Sequence, residues 1–225
     1  MPVCSTQVRL VLGLALTMAI SPALPAMPAI EPASGQGLLI LAQQMIIGFA
    51  MGFILRLVFS AIDLAGMMIS TQMGLGFATA YDPQTAGQTP VVAELIGILA
   101  LLAFLAIDGH LMTLATLMRS FTLLPVGMWT TSEASWLNIA NAGAVIFSSG
   151  VMLALPALTA LLIANIALGV LGRVAPQLNL IVIGFPVTIT VGFVALYVGM
   201  SHLGAPLQAL FEHGLRSMLG FFVLR

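Results

Sequence analysis

Apolar runs long enough to cross a bilayer follow one another along this chain, and single charges or prolines interrupt almost all of them. A membrane-spanning helix needs about 20 consecutive, mainly apolar residues. Hydrophobic residues make up 60% of the chain and charged residues only 6%, whereas a soluble domain carries about 25% charged residues. The sequence therefore predicts an all-α, polytopic membrane protein.

Seven apolar runs and an amphipathic tail are candidate helices. They are Leu10–Ala26, Leu38–Ile62, Leu64–Ala80, Val91–Ile107, Leu111–Val126, Leu137–Leu171, which can hold one long or two short helices, Leu178–Met200, and the tail Leu203–Leu224. The first run follows Arg9 and resembles a secretory signal peptide, but its flank has no Ala-x-Ala cleavage triplet. We therefore expect a retained helix there rather than a cleaved signal.

The composition excludes several classes of function. All six basic residues are arginines and the net charge is −1, so no basic patch is available for nucleic acid. One cysteine and three scattered histidines predict neither a disulfide nor a metal site. No catalytic motif is present, so we expect no enzyme activity and no cofactor. The arginines are spread evenly, so they do not orient the chain in the membrane.

Three ionisable residues lie within apolar runs: Arg56, Glu94 and Arg119. A charge at the centre of an isolated spanning helix costs about 2.5–3.5 kcal/mol, so such helices are expected to pack against protein. These residues therefore either mark an ion path or contact neighbouring subunits through a polar seam, and we favour the subunit contacts. The spacing Gly48-x-x-x-Gly52 adds a weak indication of close helix packing.

Two connections can be read from the sequence. Asp108-Gly109 predicts an antiparallel helical hairpin, with Asp108 capping the next helix and Gly109 at positive φ. A helix break is expected further along, because proline disfavours helical backbone at the residue before it. The residues assigned to this break are Arg173, Pro176, Gln177, Asn179 and Pro186. The break is either buried in protein or is an ordinary loop at the membrane surface.

Three stretches carry a family resemblance: "GLGFATAYDPQ", "IDGHLMTLATLMRSFTLLPVG" and "LALPALTALLIANIALGVLGRVAPQLNLIVIGFP". In this order and spacing they resemble the FliR family of flagellar type III export proteins, whose injectisome relatives are the SctT family. The resemblance runs from about Val8 to about Met200, which is most of the chain.

The resemblance implies a subunit of an export gate in the bacterial inner membrane, at the flagellar basal body. A single copy would assemble with several FliP-like and FliQ-like subunits, and with FlhB-like and FlhA-like components, to pass unfolded flagellar proteins. Its bent helical hairpins would form part of a helical cone, with a FliP-like portion at 1–130 and a FliQ-like portion at 131–225. Family members usually have one more apolar segment before the part matching "QVRLVLGLALTMAISPALPA", so the first helix of the FliP-like portion is expected to be missing.

The segment 72–90 matches the family's plug loop, which projects into the pore and closes the gate. The residues assigned to it are Met73, Gly74, Gly76, Phe77, Tyr81, Asp82 and Pro83. We expect the glycines to act as hinges, Phe77 and Tyr81 to form the seal with bulk from Met73, and Asp82-Pro83 to turn the chain back. The alternative for this segment is an ordinary connecting loop.

Three other functions stay open for the whole chain. An injectisome gate subunit would share the same motifs. A small-solute transporter or channel would use the intramembrane charges as its path. A scaffold would promote assembly without lining the pore.

Overall fold

The computed structural model describes residues 5–24, 31, 33–75, 91–127, 133–177 and 180–220, and these residues form helices and no strand. The helices are α1 (Thr6–Ile20), followed by a 3-10 turn (Ser21–Ala23), α2 (Gly35–Gln72), α3 (Val91–Ala106), α4 (Gly109–Leu123), α5 (Glu133–Val174) and α6 (Leu180–Gly220). The predicted all-α class is confirmed.

Helices α2, α5 and α6 contain 38, 42 and 41 residues. At about 1.5 Å per residue each is roughly 60 Å long, about twice the thickness of a hydrocarbon core. The predicted separations after Ile62 and after Met200 were wrong, because α2 and α6 run through both points. Asp63 is exposed on α2, and a single charge does not break a helix whose backbone hydrogen bonds continue.

Prolines inside the long helices also fail to end them. Pro156 lies within α5, and Pro186 and Pro206 lie within α6. Pro186 was expected to belong to the helix break, and that assignment was wrong. Neighbouring packing and local backbone adjustment can compensate for the backbone bond that a proline removes.

In the part of the chain that is described, four helices are long and apolar enough to cross a membrane. The pair formed by α3 and α4 is a fifth candidate if it acts as one broken span. Helix α1 has no buried residue, and a helix that is apolar on all sides yet unpacked is typical of a membrane span. These features agree with the predicted polytopic membrane protein.

Helix α2 lies at the centre of the packed helices. Gly150 of α5 meets Ala61, while Gly214 and Gly192 of α6 meet Val58 and Met73. Gly214 lies opposite Val58 and Gly192 lies opposite Met73, so α6 runs antiparallel to α2. Three buried clusters along α2 join it to its neighbours and together form the core.

The clusters follow α2 from its beginning to its end. The first consists of Ile47, Ala50, Met51 and Ile54 with Leu215 and Met218 of α6. The second consists of Val58, Ala61 and Ile62 with Ala100, Phe104, Ile146, Leu207, Leu210 and Phe211. The third consists of Ala65, Ile69 and Met73 with Val92, Ala154, Ala157 and Leu161. Each cluster thus contains residues from both sides of the predicted portion boundary at residue 130.

Helices α3 and α4 do not form the antiparallel hairpin predicted from Asp108-Gly109. They meet at a bend of 65°, and Leu117 and Leu124 of the second arm pack on the cluster at the beginning of α2. Asp108 itself takes the left-handed conformation, with φ 56°, and its side chain makes no capping bond. Gly109 is helical and buried against the Phe104 ring. The glycine is therefore used for close approach rather than for positive φ.

Candidate gating site

The end of α2 has a fixed geometry at the point where the predicted plug segment begins. The Leu75 amide donates to the Ser70 carbonyl at 3.1 Å, and the Gly74 amide donates to the Thr71 carbonyl at 3.0 Å. These paired bonds make a Schellman motif, which needs a residue in the left-handed region after the helix. Gly74 fills that position with φ 85°. It therefore acts here as a helix-ending residue with its amide bonded.

Met73 is fully buried at this end of α2. It packs in the cluster with Ala157 and Leu161 of α5. A Cβ placed on Gly192 of α6 would lie 2.5 Å from Met73 Cγ and 2.7 Å from its Sδ, so a larger residue there would force the Met73 side chain to shift. Met73 was expected to supply bulk to a seal, and the structure instead places it in the core between three helices.

A hydrogen bond from α6 reaches the last turn of α2. The Thr188 hydroxyl donates to the Met73 carbonyl at 3.0 Å, and the site is buried. Helix ends leave their last carbonyls without intrahelical donors, and a buried carbonyl without a partner costs about 1–3 kcal/mol. Thr188 supplies that partner from a position 115 residues further along the chain.

The remaining residues assigned to the plug lie outside the described residues. They are Gly76, Phe77, Tyr81, Asp82 and Pro83. Their roles stay predictions. What the described part shows is the base from which this segment starts: Met73, Gly74 and Leu75, with Thr188 and Gly192 of α6 packed on it.

The structure does not bring Arg56, Glu94 and Arg119 together. They lie on α2, α3 and α4, and all three side chains are exposed. The ion pair found among the described residues joins Arg216 to Glu212, at 3.2 Å within α6. Within the described residues no ion pair joins Arg56, Glu94 and Arg119 to one another, and their role as subunit contacts or as an ion path stays a prediction.

The predicted break near Pro176 lies between α5 and α6. Arg173 is in the last turn of α5, and the Ala175 amide still donates to the Leu171 carbonyl at 2.9 Å. Pro176 and Gln177 are exposed. Asn179 lies outside the described residues.

An apolar cleft of about 1030 Å³ is lined by residues of α2, α3, α5 and α6. Pro156 of α5 and Pro206 of α6 are among them. The polar side chains on its walls are Ser149, Thr190, His202 and His213. In the part of the chain that is described, no group of three or more histidine, cysteine or acidic residues could hold a metal ion.

Sequence reasoning missed Thr188 and Gly192. Thr188 is one of several hydroxyl residues in an apolar helix. Its hydroxyl donates to the backbone carbonyl of a distant residue, and the order of side chains in the sequence does not indicate such a contact. Gly192 is one of 22 glycines, and its importance depends on which face of α6 meets α2.

These helices define a class: an all-α polytopic membrane protein in which α3, α5 and α6 pack on α2, and a buried threonine hydroxyl of α6 bonds the end of α2. The chain belongs to the family of bacterial export proteins, family 1, whose model matches residues 1–214. It is 44% identical over 200 residues to the flagellar biosynthetic protein FliR of Escherichia coli (strain K12), covering 89% of this chain and 76% of that protein.

Two further relatives have the same name. FliR of Pectobacterium carotovorum subsp. carotovorum is 44% identical over 190 residues, covering 84% of this chain and 72% of the relative. FliR of Bacillus subtilis (strain 168) is 29% identical over 190 residues, covering 83% and 73%. The expected FliR resemblance is confirmed.

Proposed function

We propose that this chain is a non-enzymatic subunit of the flagellar protein export gate in the bacterial inner membrane. The observation that carries the proposal is the 44% identity to flagellar FliR across 89% of the chain. The several apolar helices of membrane-spanning length support the location. Flagellar use is favoured over injectisome use because the relatives are named as flagellar proteins.

The chain forms the pore together with FliP-like and FliQ-like subunits, next to FlhB-like and FlhA-like components, and the clients are unfolded flagellar proteins. Helices of 38 to 42 residues support this assembly, since helices about twice as long as the hydrocarbon core extend beyond it. Energy for export then comes from other components, as no nucleotide-binding motif is present in the sequence.

Within that assembly, the segment 72–90 is the plug that closes the pore at rest. One feature of the described helix end and one feature of the sequence support this role. The segment follows a helix end that is fixed by a Schellman motif and by a hydrogen bond from α6, so its starting direction is set. Its sequence also contains Phe77 and Tyr81, which supply apolar bulk.

The experiment replaces Gly76–Gln88 with a glycine-serine segment of the same length, in the complex with its partner subunits. This replacement removes the side chains of the plug but keeps the connection and the helix end. We expect ion leakage across vesicles that contain the complex to rise well above that of the unchanged complex, because the pore loses its apolar seal.

The matched control replaces Met128–Ser132, another connection in the same chain, with glycine and serine. It should leave leakage at background. If the plug replacement also leaks no more than the unchanged complex, while both variants co-purify normally with the partner subunits, the plug assignment is wrong.

A further inference from the structure

We propose that the exposed face of α2 binds one helix of a neighbouring gate subunit, and that this helix carries an acidic and a basic side chain about two turns apart. The inference rests on the proposed gate function and goes beyond it by naming the surface and the chemistry of its partner. Its core observation is that two opposite charges, Arg56 and Asp63, are exposed on this face and make no ion pair within the described residues.

The buried and exposed residues of α2 lie on opposite sides of the helix. Ile62, Val58 and Ala61 pack in a cluster with residues of α3, α5 and α6. The other side shows exposed residues at a spacing of three or four, which places side chains on one face. This docking face consists of Met45, Phe49, Gly52, Arg56, Ser60, Asp63 and Met67. It is a continuous stripe about 33 Å long, close to the thickness of about 30 Å of a hydrocarbon core.

The composition of the docking face favours protein over lipid and over bulk water. Charged side chains that face lipid are costly, and the stripe contains both Arg56 and Asp63. Large apolar side chains in contact with water are unfavourable, and Met45 and Phe49 are 69% and 75% exposed. Methionine, aromatic residues and arginine are enriched where proteins meet. A protein surface therefore satisfies both parts of the stripe.

The order of the charges defines the partner. Arg56 and Asp63 are seven residues apart, which is about 10 Å along the helix axis. Asp63 lies at the edge next to α3, where its Oδ1 is 3.6 Å from the position of a Cβ on Gly97. Glu94, one turn before Gly97, is also exposed. A complementary helix therefore places a carboxylate opposite Arg56 and a basic side chain opposite Asp63.

Close approach of a helix to this face is sterically open. A Cβ placed on Gly52, one turn before Arg56, would have no described neighbouring atom within 4 Å. Small residues let helix backbones approach each other in a membrane. The Ser60 hydroxyl lies between the two charges and donates to the Arg56 carbonyl of its own helix at 2.9 Å, so this side chain needs no further partner there.

The first experiment uses photo-cross-linking in the assembled complex. The photo-reactive residue p-benzoylphenylalanine replaces Ser60 in the full chain, expressed with the FliP-like and FliQ-like subunits. We expect an adduct with one partner subunit, and mass spectrometry should locate it in a helix with acidic and basic side chains about two turns apart. The matched control is the same replacement at Ser148 of α5, an exposed serine whose hydroxyl also bonds within its own helix. It should not cross-link to that partner helix.

The second experiment tests the charge. Arg56→Gln should weaken association with the partner subunits by about tenfold or more, because the partner carboxylate is left unpaired. Arg56→Lys keeps the charge and should restore most of the recovery in co-purification. Arg216→Gln is the control, since Arg216 pairs with Glu212 within α6. Unfolding of each isolated variant in detergent should match that of the unchanged chain, because Arg56 is exposed, and this separates weakened assembly from misfolding.

The outcomes separate this inference from the proposed function. If the complex forms but Ser60 gives no adduct with a partner helix, or gives one with a second copy of this chain, the docking face is wrong and gate membership stands. Recovery that is unchanged in Arg56→Gln, or an adduct in a helix without such charges, also overturns the inference. If the unchanged chain recovers no partner subunit, the proposed function fails and the inference fails with it.

Discussion

Single glycine residues determine how closely the neighbouring helices approach α2. A Cβ placed on Gly150 would lie 2.6 Å from the Ala61 carbonyl oxygen, and one on Gly66 would lie 2.5 Å from the Ala93 Cα. Backbone atoms cannot move aside as a flexible side chain can. The pair singled out by sequence spacing, Gly48 and Gly52, has open space around both members within the described part of this chain. Spacing of small residues therefore indicates possible packing, but not which face of a helix meets a neighbour.

Alanine substitutions in α5 should have opposite effects at Gly150 and at Gly169. A methyl group placed on Gly169 would have no described neighbouring atom within 4 Å, so Gly169→Ala should raise the free energy of unfolding by up to about 1 kcal/mol through helix propensity. Gly150→Ala should lower it by about 1–3 kcal/mol because the methyl group overlaps the backbone of α2. Chemical denaturation in detergent, followed by circular dichroism, measures both. Equal effects at the two positions would contradict the close approach at Gly150.

At the scale of helices, an aromatic cluster joins three of them. Phe59 of α2, Phe104 of α3 and Phe211 of α6 have ring centroids 5.0 to 5.7 Å apart, in tilted or edge-on arrangements. The Phe104 ring also covers Gly109, where the chain bends by 65° into α4. The cluster thus stabilises both the central packing and the bend. It depends on residues from separate runs, so hydropathy alone could not predict it.

Replacing Phe211 with alanine should therefore loosen α6 from α2 and α3. We expect Phe211→Ala to reduce the free energy of unfolding by about 3–5 kcal/mol, since it removes a buried aromatic ring and leaves a cavity. The control is Phe147→Ala on α5, whose side chain is 61% exposed, and which should change the stability of the chain in detergent by much less. If both variants unfold at the same denaturant concentration, Phe211 does not hold these helices together.

At the scale of the whole molecule, much of the apolar surface has no partner within the described part of this chain. Met18, Phe49, Met152 and Tyr197 are between 69% and 79% exposed. Large exposed apolar surfaces mark contacts with lipid or with other proteins. Arg56, Glu94 and Arg119 are exposed on the same molecule, and a charge inside a membrane assembly requires a protein partner or water. We infer that these charges contact neighbouring subunits.

Neutralising Arg119 should weaken assembly without changing the fold. If Arg119 pairs with a buried charge of a neighbouring subunit, Arg119→Gln leaves that charge unpaired at a cost of about 2–5 kcal/mol. Recovery of FliP-like and FliQ-like subunits by co-purification should then fall. Arg216→Gln is the control, because Arg216 is paired with Glu212 within its own helix. Equal recovery for both variants would contradict the subunit contact, and solute transport by the purified chain alone in liposomes would support the rival transporter function.

The sequence predicted the all-α class better than the limits of the helices. Hydropathy located the apolar runs, yet it divided α2 near Asp63 and α6 near Met200, because a single polar residue lowers local hydropathy without interrupting backbone hydrogen bonds. At the proposed gating site, the motif indicated Gly74 and Met73 but assigned them to a hinge and a seal. The structure shows a helix-ending glycine and a buried anchor. The division into portions at residue 130 stays a prediction.

The sequence by itself determined the class of this protein. Its scarcity of charge and its long apolar runs require a bilayer and a helical fold, since helices satisfy their own backbone hydrogen bonds in lipid, and its ordered motifs identified the export family. Only the tertiary structure decided which glycines meet a neighbouring backbone, how Asp108 bends the chain, and that Thr188 reaches Met73. Those features depend on contacts between residues up to 115 positions apart, and local propensity carries no information about which helix faces will meet.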